Sequence, residues 1–415
     1  MRPLQSSVRA ERLSGCLILA AIILAMLAAN SPFAALYNAI HHAPMHFGIE
    51  PFVLREPLIE LINEGLLVLF FLLVGLEIKG EILGGRLSSV RLAALPAIAA
   101  LGGMLVPAAI YITSTWPDAI LMQGWAVPMA TDIVLAIGIL SLLGDRAPQG
   151  AKTFLLALAI FDDIGAVLVI AAFYAGELAV PALVLVVASL TALGILNRVR
   201  RVHRGAFFGL AVILWISMLE AGLEAALAGI LIAIMVPAGP TSPGASSPLK
   251  VLERRLRPVT MLVIVPLFAF FNAGIEIDSG TADRLAGPVS LGIIAGLVLG
   301  KPLGVFSATW LALKAGLGRL PEGMRRLHLI GVALLAGAGF TMSLFIATLA
   351  YADPNTLAAA KLAVVIGSFA AIVAATCLLI AGGRIDDSIG EDGPPDMDAV
   401  KHRSGPGERS GAAPE

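Results

Sequence analysis

Charge is scarce in this chain. Asp, Glu, Lys and Arg make up 14% of its 415 residues, while 58% are hydrophobic. Soluble domains carry about a quarter charged residues, so a soluble globular reading is excluded. An excess of one sign is lacking as well. The formal net charge is −1, which leaves nothing to neutralise a phosphate backbone, and no nucleic-acid partner is expected. Cysteine is nearly absent. Cys16 and Cys377 lie in apolar segments near opposite ends of the chain. That excludes a disulfide framework and reads as small packing residues. His41, His42 and His46 have no cysteines or carboxylates at ligand spacing. They read as surface histidines, and no metal centre or other cofactor is expected from them.

What the chain has instead is a succession of apolar runs, most of them about 20 residues long, enough to cross a hydrocarbon core of roughly 30 Å. They fall at 13–30, 58–78, 92–112, 121–143, 151–175, 180–196, 206–218, 222–236, 259–275, 291–311, 330–349 and 357–380. The expected class is an all-α polytopic membrane protein with about twelve transmembrane helices. The runs 206–218 and 222–236 are short for a crossing, and read as a re-entrant pair or as steep helices shielded by neighbours. The first run follows Arg2, Arg9 and Arg12, as in a signal peptide. The topology works best if it is a retained span.

Loop charge supports that count. With a cytoplasmic N-terminus, the outside loops hold only Arg55, Arg284 and Lys361 among basic residues. The inside loops collect Arg86, Arg91, Arg146, Lys152, Arg198, Arg200, Arg201, Arg204, Lys250, Arg254, Arg255, Arg257, Lys314, Arg319, Arg325 and Arg326. This positive-inside asymmetry puts both termini in the cytoplasm. In the outer loop, alternation over 46–50 and then 52–54 predicts a β-hairpin. A transmembrane domain is expected over 1–383. The tail 384–415, rich in Gly, Pro, Asp and Ser, reads as disordered and cytoplasmic.

Ionisable groups fall near the midpoints of three spans. They are Asp132, preceded by Thr131; the pair Asp162 and Asp163; and Lys301. Each mid-bilayer charge costs roughly 2.5–3.5 kcal/mol on insertion scales. Several at one depth imply a shared polar cavity. Consecutive helical residues point about 100° apart, so one aspartate can face water while the other meets a cation. An Asp163–Lys301 pair is expected, either purely structural or with Lys301 competing with sodium or a proton for the carboxylates.

The fourth and eleventh spans look interrupted. Pro128 precedes Thr131 and Asp132; Gly337, Ala338 and Gly339 precede Phe340, Thr341, Met342 and Ser343. Taken singly, these read equally as a proline kink and close helix packing. Their placement says more. Each is the middle span of a triplet, and the triplets, about 92–175 and 291–380, enter the membrane from opposite sides. That is an inverted-topology repeat with two broken, crossing helices, a pattern of secondary transporters. Asp132 would offset positive helix ends at the crossing and Lys301 negative ones.

At these residues the chain resembles the bacterial NhaA family of sodium/proton antiporters, itself a known case of that pattern. The resemblance is carried by Val74-Gly75-Leu76-Glu77-Ile78-Lys79, Ala130-Thr131-Asp132-Ile133, Ala159-Ile160-Phe161-Asp162-Asp163-Ile164-Gly165, Pro266-Leu267-Phe268-Ala269-Phe270, Gly300-Lys301-Pro302-Leu303-Gly304 and Gly339-Phe340-Thr341-Met342-Ser343. It implies twelve helices in a bacterial inner membrane and electrogenic exchange of cytoplasmic sodium or lithium for external protons, supporting pH and sodium homeostasis. It also implies a homodimer contacted through the hairpin. It implies ion binding at Asp162 and Asp163, with Asp163 central, and charge compensation at the crossing by Thr131, Asp132 and Lys301. A pH-response region would comprise Glu77, Lys79, Glu81 and Glu253. There the chain departs from familiar members: Gly80 stands where a basic residue is usual, and Arg254 and Arg257 replace histidines. Arginine does not titrate near neutral pH, so the activating pH is left open, and a plain solvated loop accounts for the same charges.

Two other classes compete. An intramembrane aspartyl protease needs one acid from each of two helices, and only Asp132 with Asp163 would serve; the chain has no Gly-x-Gly-Asp segment. A passive cation channel needs a continuous pore, whereas inverted broken helices suit alternating access.

Overall fold

The computed structural model describes residues 2–391, apart from 50–51, 86–87, 175–178, 199–203 and 240–246. It is almost entirely helical. Helices α1 (Arg2–Ala29) and α2 (Ala34–His41) lead into strands β1 (Pro44–Ile49) and β2 (Phe52–Pro57). Then come α3 (Leu58–Gly84) and α4 (Val90–Thr115), a 3₁₀ helix (Leu121–Met129), α5 (Ile133–Leu142), α6 (Gln149–Phe173), α7 (Val180–Arg198) and α8 (Arg204–Glu220). After these follow α9 (Ala228–Met235), α10 (Pro248–Val259), α11 (Val265–Ala273), α12 (Thr281–Ala286), α13 (Pro288–Ala295) and α14 (Lys301–Lys314). The last three are α15 (Arg326–Ala336), α16 (Phe340–Ala350) and α17 (Pro354–Glu391).

Among the described residues, ten helical stretches are long and apolar enough to cross a membrane, and Gly205–Glu220 and Ala225–Met235 are shorter apolar helices. Together they account for the twelve expected spans. Large side chains such as Leu105, Leu168, Val180 and Phe208 point outward and exposed, as helices solvated by lipid require. α1 is packed as a first span. Its Ser14 Oγ donates to Met261 O at 2.9 Å, and Arg12 Nε donates to Ser141 O at 2.7 Å.

The hairpin forms. β1 and β2 pair antiparallel, Pro44 opposite Pro57 and Ile49 opposite Phe52; the turn between them lies outside the described residues. Cys16 and Cys377 are unbridged, but both are exposed, so neither is the packing residue expected. In a bilayer an apolar residue is equally at home facing lipid, and sequence cannot separate the two. Lys361, counted with an outer loop, lies within α17. That helix runs on past 383 to Glu391, and 392–415 lie outside the described residues.

Both interruptions are present. In the fourth span the first half is 3₁₀ rather than α, the chain extends at Ala130, and α5 starts after Asp132. In the eleventh, residues 337–339 part α15 from α16. Two π-helical turns were not foreseen: Thr260–Ile264 precedes α11, and Gly296–Gly300 runs into Lys301. All four tyrosines of the chain donate to backbone carbonyls at the hairpin end. Tyr111 and Tyr351 both donate to Leu121 O, at 3.0 and 2.7 Å, and Tyr174 to Gln123 O at 2.7 Å. Three tyrosines thereby hold the start of the 3₁₀ half, whose carbonyls no regular helix satisfies. The fourth, Tyr37, donates to Phe270 O at 2.7 Å.

α4 and α14 meet backbone to backbone. A Cβ on Gly304 would lie 2.1 Å from Gly102 O, so glycine is what permits the approach. Gly304→Ala is therefore expected to destabilise the protein by about 1–3 kcal/mol through overpacking. The midpoint of thermal unfolding in detergent measures this, with Gly65→Ala as control, since a Cβ there meets nothing within 4 Å. Equal midpoints for the two variants would show that the helices are not in backbone contact.

Candidate functional site

The two interruptions lie against each other, and their backbone groups set the local chemistry. A broken helix leaves unmet N–H groups where it restarts and unmet carbonyls where it stops. Asp132 meets two restarts at once. Its Oδ1 accepts from Leu135 N at 2.9 Å, capping α5. Its Oδ2 accepts from Thr341 N at 3.1 Å and Thr341 Oγ1 at 2.7 Å, capping α16. A carboxylate at two helix N-termini also answers the positive ends of both dipoles. The backbone N–H of Asp132 donates to Ala338 O at 2.7 Å, inside the other break. Ser343 Oγ donates to Val127 O at 2.7 Å.

One stop is met by Lys301, and Thr131 lies at the other with its single hydroxyl proton between Ala336 O and Asp162. The Lys301 ammonium, wholly buried, donates to Met129 O, the last carbonyl of the 3₁₀ half. Thr131 Oγ1 lies 2.9 Å from Ala336 O, the last residue of α15.

α6 crosses beside this knot and presents Asp162 and Asp163 to it, both buried. Asp162 Oδ2 lies 2.7 Å from Lys301 Nζ and 2.5 Å from Thr131 Oγ1. The expected Asp163–Lys301 pair is thus corrected: the partner of Lys301 is Asp162. The reason is rotational. Only one of two consecutive helical residues can face α14, and the one that does is Asp162. Among the described residues, Asp162 Oδ1 and Asp163 Oδ2 are buried carboxylate oxygens without a hydrogen-bond partner. Buried polar atoms are nearly always satisfied, so two unsatisfied anionic oxygens on adjacent residues mark a place to hold a cation or a proton.

At the end away from the hairpin, an open cavity of about 420 Å³ is lined by Glu77, Glu81, Lys250, Glu253 and Arg257, and reaches α6 at Leu156 and Ile160. Ile160 is three residues, just under one helical turn, from Asp163, so the cavity leads toward the site. Arg257 sits 3.0 Å from both Glu77 Oε1 and Glu253 Oε1. Three members of the expected pH-response group, Glu77, Glu81 and Glu253, are thus together. Lys79 is not with them. Its ammonium caps the end of α9, donating to Ile234 O at 2.5 Å and Val236 O at 2.6 Å. Two functional contacts were missed by sequence reasoning. Thr341 was noted only as part of a motif, although a threonine just after a helix restart is a readable signal. Arg257 was noted only as a departure, not as the bridge between two glutamates.

The family model for Na+/H+ antiporter 1 matches residues 5–379. A Na(+)/H(+) antiporter NhaA of Rhodospirillum rubrum is 49% identical over 363 residues, covering 86% of this chain and 91% of that protein. One of Bordetella parapertussis is 45% identical over 380 residues, covering 91% and 96%. A further NhaA, of a Shewanella species, is 44% identical over 363 residues, covering 87% and 93%. Among solved structures, the sodium proton antiporter MjNhaP1 of Methanocaldococcus jannaschii aligns over 92% of this chain and 98% of that one, at 15% identity and a TM-score of 0.47.

Breaking a buried pair by removing one partner is costly because the other charge stays behind. Lys301→Met is expected to destabilise the protein by about 3–5 kcal/mol, read as thermal unfolding in detergent. Adding Asp162→Asn to that variant should recover most of the loss. Strictly additive losses would mean that the two groups are not coupled.

Proposed function

Because the chain belongs to the Na+/H+ antiporter 1 family, we propose that it exchanges cytoplasmic sodium or lithium for external protons across the bacterial inner membrane, electrogenically, with both termini in the cytoplasm. The observation that carries this reading is the unpartnered pair of buried oxygens, Asp162 Oδ1 and Asp163 Oδ2. Sodium from the cytoplasm enters by the cavity between α3 and α10 and binds at Asp163, with Asp162 Oδ1 as second ligand. Protons arriving from the outside occupy the same oxygens and displace it. Lys301 contends with the cation for Asp162, while Thr131 and Asp132 compensate the crossed helix ends. Glu77, Glu81, Glu253 and Arg257 form a charged mouth through which cytoplasmic pH acts, with Lys79 fixing α9 behind it. In this reading 92–175 and 291–380 are inverted repeats within a transmembrane domain over 1–383, the tail from 384 is cytoplasmic, and the hairpin joins two copies into a homodimer.

The protease reading has no support. Asp132, its only candidate second acid, uses both carboxylate oxygens to cap helices and cannot share a peptide bond with Asp163. Nor does a channel gain support, since the matching family and the relatives are antiporters.

Asp163→Asn keeps the shape of the side chain and removes the charge. In proteoliposomes it is expected to abolish proton movement driven by added sodium or lithium while leaving the unfolding midpoint within about 1 kcal/mol of the parent. Exchange at the parent rate would reject Asp163 as the ion ligand.

A further inference from the structure

Four buried side-chain atoms lack a hydrogen-bond partner among the described residues. Asp162 Oδ1 and Asp163 Oδ2 belong to the site above. Trp215 Nε1, on α8, can only donate and has nothing to offer a cation. The fourth is Thr260 Oγ1, on a wholly buried residue.

A helical threonine has a partner close by, the carbonyl four residues back. Thr115 donates to Tyr111 O at 3.0 Å, and Thr309 to Val305 O at 2.6 Å. Thr260 makes no such bond, although Leu256 stands four residues before it. Leaving a buried hydroxyl unmet is costly, and valine, of nearly the same shape, would avoid that cost. Thr260 also opens the π turn Thr260–Ile264. Pro266 explains the turn itself, since it brings no N–H and crowds the residues before it. The carbonyl five residues before that proline, Met261 O, is met instead by Ser14 Oγ at 2.9 Å. The backbone of the turn is thus provided for, and the hydroxyl is not.

The position of that hydroxyl ties it to the ion path. Glu253 and Arg257 line the open cavity, while Ile264 and Phe268 line a small apolar gap on the hairpin side, bordered by Thr341. Thr260 stands between them, three residues past Arg257 and four before Ile264, a spacing that keeps one helical face. Val259 and Val263, 47% and 56% exposed, take the lipid side. α3, on which the π turn packs, repeats the order. Glu81 and Glu77 are at the cavity, Val74 is buried, and Phe70 and Leu67 are at the gap. α6 reaches the cavity at Ile160, with Asp163 three residues further in. The partition between the two openings therefore draws Asp163 from α6, Val74 from α3 and an unmet hydroxyl from the junction of α10 and α11.

We propose that Thr260 is a transit ligand for the cation: sodium or lithium leaving the open cavity exchanges one water for Thr260 Oγ1 before it reaches Asp163. This deepens the exchange reading given above and rests on it. A neutral hydroxyl replaces one oxygen of the hydration shell without holding the ion as a carboxylate does, which suits a position that must be both entered and left.

Everted membrane vesicles, with the cytoplasmic face outermost, give the first arm of the test. There Thr260→Val is expected to raise the sodium or lithium concentration for half-maximal exchange about three- to tenfold, with the plateau rate kept. Thr260→Ser, which retains the hydroxyl, should match the parent. An unaltered half-maximal concentration in Thr260→Val would overturn the proposal. So would an equal rise in Thr260→Ser, because the effect would then lie in packing. Thermal unfolding in detergent is the second arm and needs neither transport nor a known orientation. Thr260→Val should unfold at the parent's midpoint or above it, since no bond is lost. Thr309→Val, which loses its bond to Val305 O, should unfold below. A midpoint lowered as far in Thr260→Val as in Thr309→Val would mean that the hydroxyl is engaged within the fold, and would also overturn the proposal. Absence of exchange in the unaltered protein would instead count against the transport function.

Discussion

A helix broken in the middle of a membrane frees amide and carbonyl groups where no bulk water can reach them. Each costs several kcal/mol if left unmet. This fold breaks two helices at one depth and uses each to satisfy the other. Asp132 accepts from the restarting N–H groups of both α5 and α16. Lys301 donates to the stopping carbonyl of the 3₁₀ half, and Thr131 lies on that of α15. The mid-membrane charges are therefore not additions to a finished scaffold. Without them the crossing has no acceptable conformation, and without the crossing the charges have no acceptable solvent.

Within that knot the two adjacent aspartates divide the work. Asp162 is committed through Oδ2 to Lys301 and Thr131. Asp163 is held in the same buried environment with Oδ2 unmet. Two carboxylates this close repel each other, and one ammonium offsets only part of that. The site is short of positive charge by about one unit, which a proton or a monovalent cation supplies equally well. That shortage is the feature on which the proposed competition between the two rests.

Much of this was legible in the chain. Span lengths obey the bilayer, so the twelve crossings could be counted, and the hairpin showed in its alternation. The depth of Asp132, Asp162, Asp163 and Lys301 followed from their positions within spans. Rotation about the helix axes did not follow. The π turn over Gly296–Gly300 inserts an extra residue into the α period just before Lys301, and no hydrophobic pattern announces it in a helix apolar on every side. The choice of Asp162 over Asp163 depends on that rotation. The same blindness hid the outward cysteines. The turn of Lys79 toward α9 depends instead on where α9 stops, a distant feature that spacing along α3 cannot report.

The way the breaks are tied also limits how access can change. Parting the 3₁₀ half and α5 from α15 and α16 would strip Asp132 Oδ2 of Thr341, Ala338 O of the Asp132 N–H and Val127 O of Ser343 while all remain buried, an uncompensated loss at every step. The three tyrosines that grip Leu121 O and Gln123 O bind the same unit at its hairpin end. Against α3 and α11, by contrast, the site is bordered by Leu67, Phe70 and Phe268 around a small apolar gap. Against α1 there is glycine on glycine, where a Cβ on Gly138 would lie 2.9 Å from the Gly15 Cα. Apolar and glycine surfaces slide at little cost, although at the far end of α1 Arg12 is bonded to Ser141 O and Glu11 to Ser141 and Lys152. The contacts that are least costly to change are therefore those of the crossing with α3 and α11, and not those within the crossing itself.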